Sequence, residues 1–247
     1  MKLLFAAVAA GSCLTLPAFA ENGTWKGEGS FSAGLNTGNT ETSDLGIGVK
    51  VARETQAWKN SAELFADYGT KNGSQTKNRL FVAGQTNRVL NDDAFVFARV
   101  SHEVDEFSAF DSRSFVGGGA GWQVFDGPAA KWSLEGGPGL KFDKVKEATT
   151  GSPPVTVPAR TDESFSFIAA SKLGYTLNDA VKFGNDTSLL YADTSTQIGN
   201  KTSLTAMLTK SLSARFSFEV RHDTAPKPGF EETDTATRMS IVYAFGG

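Results

Sequence analysis

The feature that most constrains this chain is an alternation. From Ala214 to Asp223, residues Ala214, Phe216, Phe218 and Val220 share one parity, while Arg215, Glu219, Arg221 and Asp223 hold the other. Successive side chains of a strand point to opposite faces, so each such segment has an apolar face and a charged face. One segment of this kind is an ordinary half-buried strand. Its recurrence about twelve times, with the charges kept to one parity, predicts a sheet closed on itself with lipid outside and a polar lumen inside. After the first twenty residues no run of eighteen apolar residues occurs, which excludes a helical membrane protein. A mean hydropathy of −0.22 agrees with a barrel, because half of each strand faces water.

Residues 1–20 read as a secretory leader. Lys2 supplies the positive end, Leu3 to Ala10 an apolar run too short to span a bilayer, and Ala18-Phe19-Ala20 a small-residue cleavage site. A lipoprotein cut before Cys13 lacks the large aliphatic residue wanted upstream, since Ala10-Gly11-Ser12 precede it. Cleavage after Ala20 removes the only cysteine, so disulfide and thiol chemistry are excluded. Residues 21–247 are then expected to form one all-β domain, a single transmembrane antiparallel up-and-down barrel of about twelve strands.

Parity assigns the faces. Trp25, Phe31 and Ala33 point out in the first segment, against Lys26, Glu28, Ser30 and Ser32. Leu45, Ile47, Val49 and Val51 follow in the second, and Trp58, Leu64 and Tyr68 in the third. In the fifth, Phe95 and Phe97 share the charged parity of Arg99, Glu103 and Asp105, so their rings are expected to fill lumen space. The sixth, from Arg113 to Phe125, places Val116, Ala120, Trp122 and Val124 outward. Its Gly117-Gly118-Gly119 and Gly121 predict a bend, a bulge, or room for a bulky neighbour. Pro138 lies within the seventh, and a bulge beside Gly136-Gly137 is expected to accommodate its missing donor. The tenth offers Leu204, Ala206 and Leu208.

The connections alternate in length. Tight turns are predicted at Glu54 to Ala57, Asn91 to Asp93, Asp126 to Ala129, Asn178 to Asp179 and Leu212 to Ser213. The long, proline-containing connections, Lys144 to Arg160 and Thr224 to Thr233, fall on the other side. An even strand count puts both termini with the tight turns, the periplasmic side of an outer-membrane barrel. The outward aromatics agree. Trp25, Trp58, Trp122, Trp132, Tyr175, Tyr243 and Phe245 map to the periplasmic ends, and Tyr68, Phe142, Phe165 and Tyr191 to the opposite ends. Amphipathic rings prefer the headgroup zone, so two girdles are expected. A soluble β-sandwich would explain neither pattern.

The residues carry a resemblance as well. Trp25-Lys26-Gly27-Glu28-Gly29 followed by Gly38-Asn39-Thr40-Glu41-Thr42 resembles the opening of the salt-induced outer-membrane protein family, domain of unknown function 481. Arg99 with Glu103 and Asp105, Arg113 with Gly117, Gly119 and Gly121, and Leu134-Glu135-Gly136-Gly137-Pro138-Gly139 are similar to it in order and spacing. The resemblance covers most of the mature chain. It implies a Gram-negative outer-membrane location and an osmotic or salt response, and says little of activity. Two departures are the Pro-rich stretch from Lys144 to Arg160 and the glycines Gly246-Gly247 after Phe245, where outer-membrane barrels often end on the aromatic.

The lumen parity carries both signs of charge in near balance, which favours mutual pairing over the one-sign constriction of a selective pore. Arg99, Glu103, Asp105, Arg113, Glu135 and Lys141 are the candidates for a central cluster. Catalysis has little to work with. His102 and His222, the two histidines, fall on the outward parity, and neither meets its chain neighbour Ser101 or Asp223, because adjacent strand residues face opposite ways. A cross-strand Ser or Thr could still approach either ring. No metal motif, cofactor motif or phosphate loop is present, and the acidic balance of 27 Asp+Glu against 24 Lys+Arg argues against nucleic acid. The expected partners are outer-membrane lipid, lipopolysaccharide and the barrel-assembly machinery. The outward face is read as free of a polar seam, hence a monomer. Three functions follow: a structural, envelope-stress barrel with a charge-filled lumen and no enzyme activity; a narrow ion or small-solute channel; and an outer-leaflet lipid-modifying enzyme using His102 or His222.

Overall fold

The computed structural model describes residues 23–36, 42–150, 155–227 and 229–246. The leader and its cleavage site, Gly38 to Glu41 of the segment that carries the family resemblance, and Pro153-Pro154 lie outside the described residues. The strands are β1 (Thr24–Asn36), β2 (Thr42–Glu54), β3 (Trp58–Lys71), β4 (Ser74–Val89), β5 (Ala94–Asp105), β6 (Phe110–Asp126) and β7 (Ala130–Val145). They continue as β8 (Ala148–Thr150), β9 (Val155–Val157), β10 (Arg160–Asn178), β11 (Val181–Ala192), β12 (Thr196–Met207), β13 (Leu212–Asp223) and β14 (Thr233–Gly246). Twelve of them close into one antiparallel barrel, β14 pairing with β1 from Lys26↔Gly246 to Ser32↔Ser240. The two short strands β8 and β9 make a separate hairpin inside the long connection from β7 to β10.

The faces follow parity. Ile47, Val49, Leu64, Val82, Val100, Val116, Leu140, Phe167, Phe216 and Ile241 are all exposed on the outer surface. The buried set is mixed in kind: Asp67, Gln85, Glu135, Lys141 and Asp143 lie inside together with Phe97, Phe110 and Phe115. This is inside-out relative to a soluble domain, and only a surrounding apolar solvent makes it stable. A sandwich with an aromatic core is excluded.

Turn lengths keep their asymmetry. Four of the five tight turns lie where parity puts them, between β2 and β3, β4 and β5, β6 and β7, and β10 and β11. The fifth is displaced: β12 ends at Met207 and residues 208–211 turn, so Leu208 leaves the strand and Leu212 begins β13. Thr209 explains the position, its hydroxyl accepting from the backbone N–H of Leu212 (3.0 Å) and Ser211 (3.3 Å). On the other side, Asn72-Gly73 join β3 to β4 with φ of 49° and 77°. Positive φ at both central residues is the tight hairpin turn that matches strand twist.

Three local expectations change. In the β6–β7 ladder the bulges sit between Phe110 and Ser112 and between Gln123 and Phe125, with no register shift beside Gly136-Gly137. Pro138 instead falls in a gap of the β6–β7 ladder, between the pairs Gly117↔Gly139 and Ala120↔Gly136, where its missing N–H is not needed for pairing to β6. The second bulge makes Val124 the extra residue. Phe125 takes the outward place opposite Trp132, ring centroids 5.9 Å apart, while Gln123 donates to the Phe125 and Trp132 carbonyls. The strand glycines serve the lumen rings. A Cβ on Gly121 would lie 2.1 Å from the Phe95 ring, and one on Gly139 would lie 2.4 Å from Phe115.

Candidate functional site: the charge-filled lumen

Every strand delivers its inward parity to one shared interior, so residues far apart in sequence meet across it. Two bidentate pairs join strands that are not neighbours: Arg215 Nη1 and Nη2 donate to Glu28 at 2.8 Å each, and Arg238 donates to Asp67 at 2.7 and 2.8 Å. Such fork-to-carboxylate contacts are the strong form of ion pair. Arg79 pairs with Glu103 on the adjacent strand and lies beside the Phe65 and Phe81 rings, and Arg221 pairs with Glu219.

A chain of contacts lines half of the lumen wall, nearer the tight-turn (lower) end. Lys50 approaches Glu63 at 3.7 Å, and Arg99 holds the other oxygen of Glu63 at 3.3 Å. Arg99 donates to Gln85 (3.1 Å), Gln85 donates to Glu135 (2.9 Å), and Lys172 closes on Glu135 at 3.1 Å. The chain starts on β2 and ends on β10, six steps apart in the ring of twelve, passing through β3, β5, β4 and β7, and its widest single contact, Gln85 to Glu135, joins strands three steps apart. A bridge lies near the end that carries the long connections. Arg113 on β6 donates to Asp223 on β13 at 3.3 Å, five steps away around the ring. Beside it Lys141, only 3 % exposed, holds Asp143 at 2.8 Å, and the guanidinium of Arg113 lies 3.6 Å over the Phe110 ring. The Gln197 amide, turned with its oxygen toward the two cations, accepts from Lys141 and Arg113.

The six predicted lumen residues therefore separate. Arg99 and Glu135 share the lower chain through Gln85. Arg113 and Lys141 share Asp143 in the upper bridge, Arg113 approaching it at 3.9 Å. Glu103 belongs to Arg79. Asp105 does not join them: its carboxylate accepts from the Phe107 N–H (2.9 Å), capping the turn after β5. Lys146 anchors the same turn by donating to the carbonyls of Asp105, Glu106 and Ser108. The interior is also not confined to the fifth to seventh segments. Glu28, Glu63, Asp67, Arg79, Arg215 and Arg238 were readable as inward by parity, but nothing in a single strand says which opposite charge it will meet.

Beside the lower chain a vestibule of about 340 Å³ opens at the tight-turn end, lined by Glu54, Lys59, Asp126, Lys131, Lys172 and Asp186 among others. At this rim Lys131 donates to Asp126 (2.7 Å) and holds its carboxyl below the usual carboxylate range. At the opposite rim Arg160 does the same for Asp162.

The seven girdle residues lie at the strand ends on the side of the tight turns and both termini, with Trp25, Trp122, Tyr175, Tyr243 and Phe245 exposed outward. Trp58 carries the Arg88 guanidinium 5.2 Å over its ring, and Trp132 donates to Ser171. The outer face between the girdles is not uniformly apolar, which corrects the expectation of no polar seam. Asn185 and Thr187 of β11 face Thr202 and Asn200 of β12 at the middle of both strands. Asn185 donates to Thr202 (2.9 Å), Asn200 to Thr187 (2.8 Å), Thr187 to Asn185 and Thr202 to Asn200 (3.2 Å each), and the amides also bond each other at 3.4 Å. These six bonds use every side-chain donor hydrogen of the four residues.

Each histidine has found a cross-strand hydroxyl. His102 Nδ1 lies 2.8 Å from Ser114 Oγ, and His222 Nδ1 lies 2.9 Å from Thr233 Oγ1. Both pairs sit on the outer face toward the end that carries the long connections. Among the described residues no group of three or more His, Cys, Asp and Glu is arranged to hold a metal ion.

Comparison with known proteins places the chain in context. The model of a family described as "Protein of unknown function, DUF481" matches residues 29–245. YdiY, an uncharacterised protein of Escherichia coli strain K12, is 23% identical over 225 residues, covering 88% of this chain and 82% of YdiY. The translocator domain of the autotransporter NalP from Neisseria meningitidis superposes with a TM-score of 0.52 at 11% identity, over 90% of this chain and 88% of that one. The NanC porin superposes at 0.51 and 13% identity, over 89% and 98%. At such identities the likeness is one of fold: an outer-membrane type of barrel.

Proposed function

The chain belongs to the DUF481 family, and from that premise we propose that it is a structural barrel of the bacterial outer membrane, closed to solute flow and serving envelope integrity under osmotic or salt stress. The observation that carries this reading is the bridge from Arg113 to Asp223 across the lumen, backed by the chain of contacts that lines half of the wall from Lys50 to Lys172 through Glu63, Arg99, Gln85 and Glu135. An ion pair that spans a barrel ties opposite walls together and occupies the path a solute would take. Breaking it leaves an uncompensated charge, so the bridge resists opening. A selective pore would instead keep one sign in excess at its constriction.

The leader delivers the chain to the periplasm, and assembly machinery and lipopolysaccharide are its natural contacts. One copy is sufficient in lipid, because the polar quartet on β11 and β12 saturates itself and demands no partner. The chain is not read as an enzyme; each histidine meets a hydroxyl, but no third group of described residues orients the ring for acid–base work.

A deletion strain tests the role. On a rapid shift from high to low salt it should leak a periplasmic reporter enzyme several-fold more than its parent, and the wild-type gene should restore retention. A variant carrying Arg113→Ala and Arg99→Ala together should restore it poorly. Equal leakage from deletion and parent strains would refute an envelope role.

One observation favours a channel as second reading: the periplasmic vestibule already provides the wide mouth of a pathway. In that case the upper bridge around Arg113 is the gate.

A further inference from the structure

Deep in the lumen, between β1, β2, β3, β12, β13 and β14, lies a second chamber of about 60 Å³. Four cations line it, Lys50, Lys201, Arg215 and Arg238, against two carboxylates, Glu28 and Glu63. The carboxylates are already committed. Glu28 is held by both terminal nitrogens of Arg215, and Glu63 is shared between Arg99 and Lys50. Arg238 is occupied by Asp67. Lys201 has no carboxylate within ion-pair distance among the described residues. Lys50 and Arg215 repel it, while its register partners on the two neighbouring strands, Asp186 on β11 and Glu219 on β13, attract it without reaching ion-pair distance, Glu219 being held by Arg221. A cation withdrawn from bulk water and crowded by like charge is costly unless something compensates it.

The hydroxyls point the same way. Ser217 lines this chamber, is only 3 % exposed, and makes no hydrogen bond to any described residue. Ser240 lines it too and likewise has no hydrogen-bond partner among the described residues. Ser240 is only partly buried, and neither oxygen is sealed from the chamber, so each hydroxyl is able to donate into it. A free ammonium and two free hydroxyl donors converging on one small space form the donor set of an anion site. The volume is that of a few waters, which admits a halide or a compact oxyanion and rejects a sugar or a nucleotide.

We propose that this chamber binds a small inorganic anion, held by Lys201 with Ser217 and Ser240 as neutral donors. The bound anion completes the charge balance of the lumen, and the site stands whether or not the barrel conducts.

Bromide is the probe. Crystals of the detergent-solubilised mature chain grown in sodium bromide, measured at the bromine absorption edge, should show an anomalous peak within contact distance of Lys201 Nζ and Ser217 Oγ. Lys201→Met should abolish the peak while the purified variant still migrates differently before and after boiling. Ser217→Ala keeps every charge and should lower the peak at least two-fold, so it serves even if Lys201→Met fails to fold. A wild-type chamber without bromide, bromide bound only on the outer surface, or a peak of unchanged height in Ser217→Ala would overturn the proposal.

Discussion

At Asp67 the lumen's energetics come down to one guanidinium. Its carboxylate is about 7 % exposed and accepts both donors of Arg238, whose side chain also lies 5.2 Å over the Phe65 ring. Removing one partner strands the other in a poorly solvated place, which costs roughly 3–5 kcal/mol, whereas removing both with apolar residues of similar volume costs much less. Arg238→Met should therefore lower the urea midpoint of the vesicle-embedded barrel strongly, and Asp67→Leu added to it should recover most of the loss. Equal midpoints for single and double variants would mean the pair does not hold the wall. Gly121 makes the complementary steric case. A Cβ there would meet the Phe95 ring at 2.1 Å, so Gly121→Ala should destabilise and Phe95→Leu should rescue it, measured by the same unfolding series. This scale was legible in kind but not in pairing. Phe95 and Phe97 read as lumen-filling because parity outranks hydrophobicity on a charged face, and Phe97 is indeed buried at 5 %. Asp105 misled, because a carboxylate at a strand end competes for turn N–H groups that parity ignores.

Among the elements, β11 and β12 stand apart from the rest of the wall. Their mid-strand outward positions hold Asn185, Thr187, Asn200 and Thr202 as a closed hydrogen-bonded unit facing lipid. A lone substitution breaks the closure. Asn185→Leu leaves Asn200 and Thr202 short of partners and should destabilise by about 1–3 kcal/mol. Replacing all four by Leu, Val, Leu and Val should return stability to the wild-type level or above, because no polar group is then left facing hydrocarbon. Unfolding in lipid vesicles gives the order, and a quadruple variant weaker than Asn185→Leu would contradict it. Lys146 makes a different demand on the connection between β5 and β6. With three carbonyls lost as acceptors for its ammonium, Lys146→Met should speed protease cleavage within residues 106–109 without altering the rest of the barrel. Strand identity and tight turns were legible because period two and Gly/Asn/Asp chemistry are local signals. The bulge at Val124 and the late turn at 208–211 were not. A bulge is set by how Gln123 and Thr209 satisfy nearby backbone groups, which alternation does not encode. The polar quartet escaped for the same reason: a four-residue patch is assembled from two strands, and each half alone looks like an unremarkable break in the apolar parity.

Over the whole molecule, closure is what converts local alternation into an interior. Twelve strands and long connections on one side only were readable in the chain, and the ring from β1 to β14 with its connections bears them out. The contents of that ring were readable only as a near balance of charge. Which acid meets which base depends on register and shear around the full circle, so the lower chain from Lys50 to Lys172 and the upper bridge from Arg113 to Asp223 emerge only with the closed barrel. The bridge and the chain are the reason for reading the protein as a filled barrel, and single-channel recording of the purified, heat-modifiable protein in planar bilayers tests that most directly. The expected record at neutral pH is a quiet baseline over the voltage range the bilayer tolerates, with openings appearing only once Arg99→Ala and Arg113→Ala are combined. Steady, reproducible openings of the wild-type protein would contradict the account and establish the lumen as a pore.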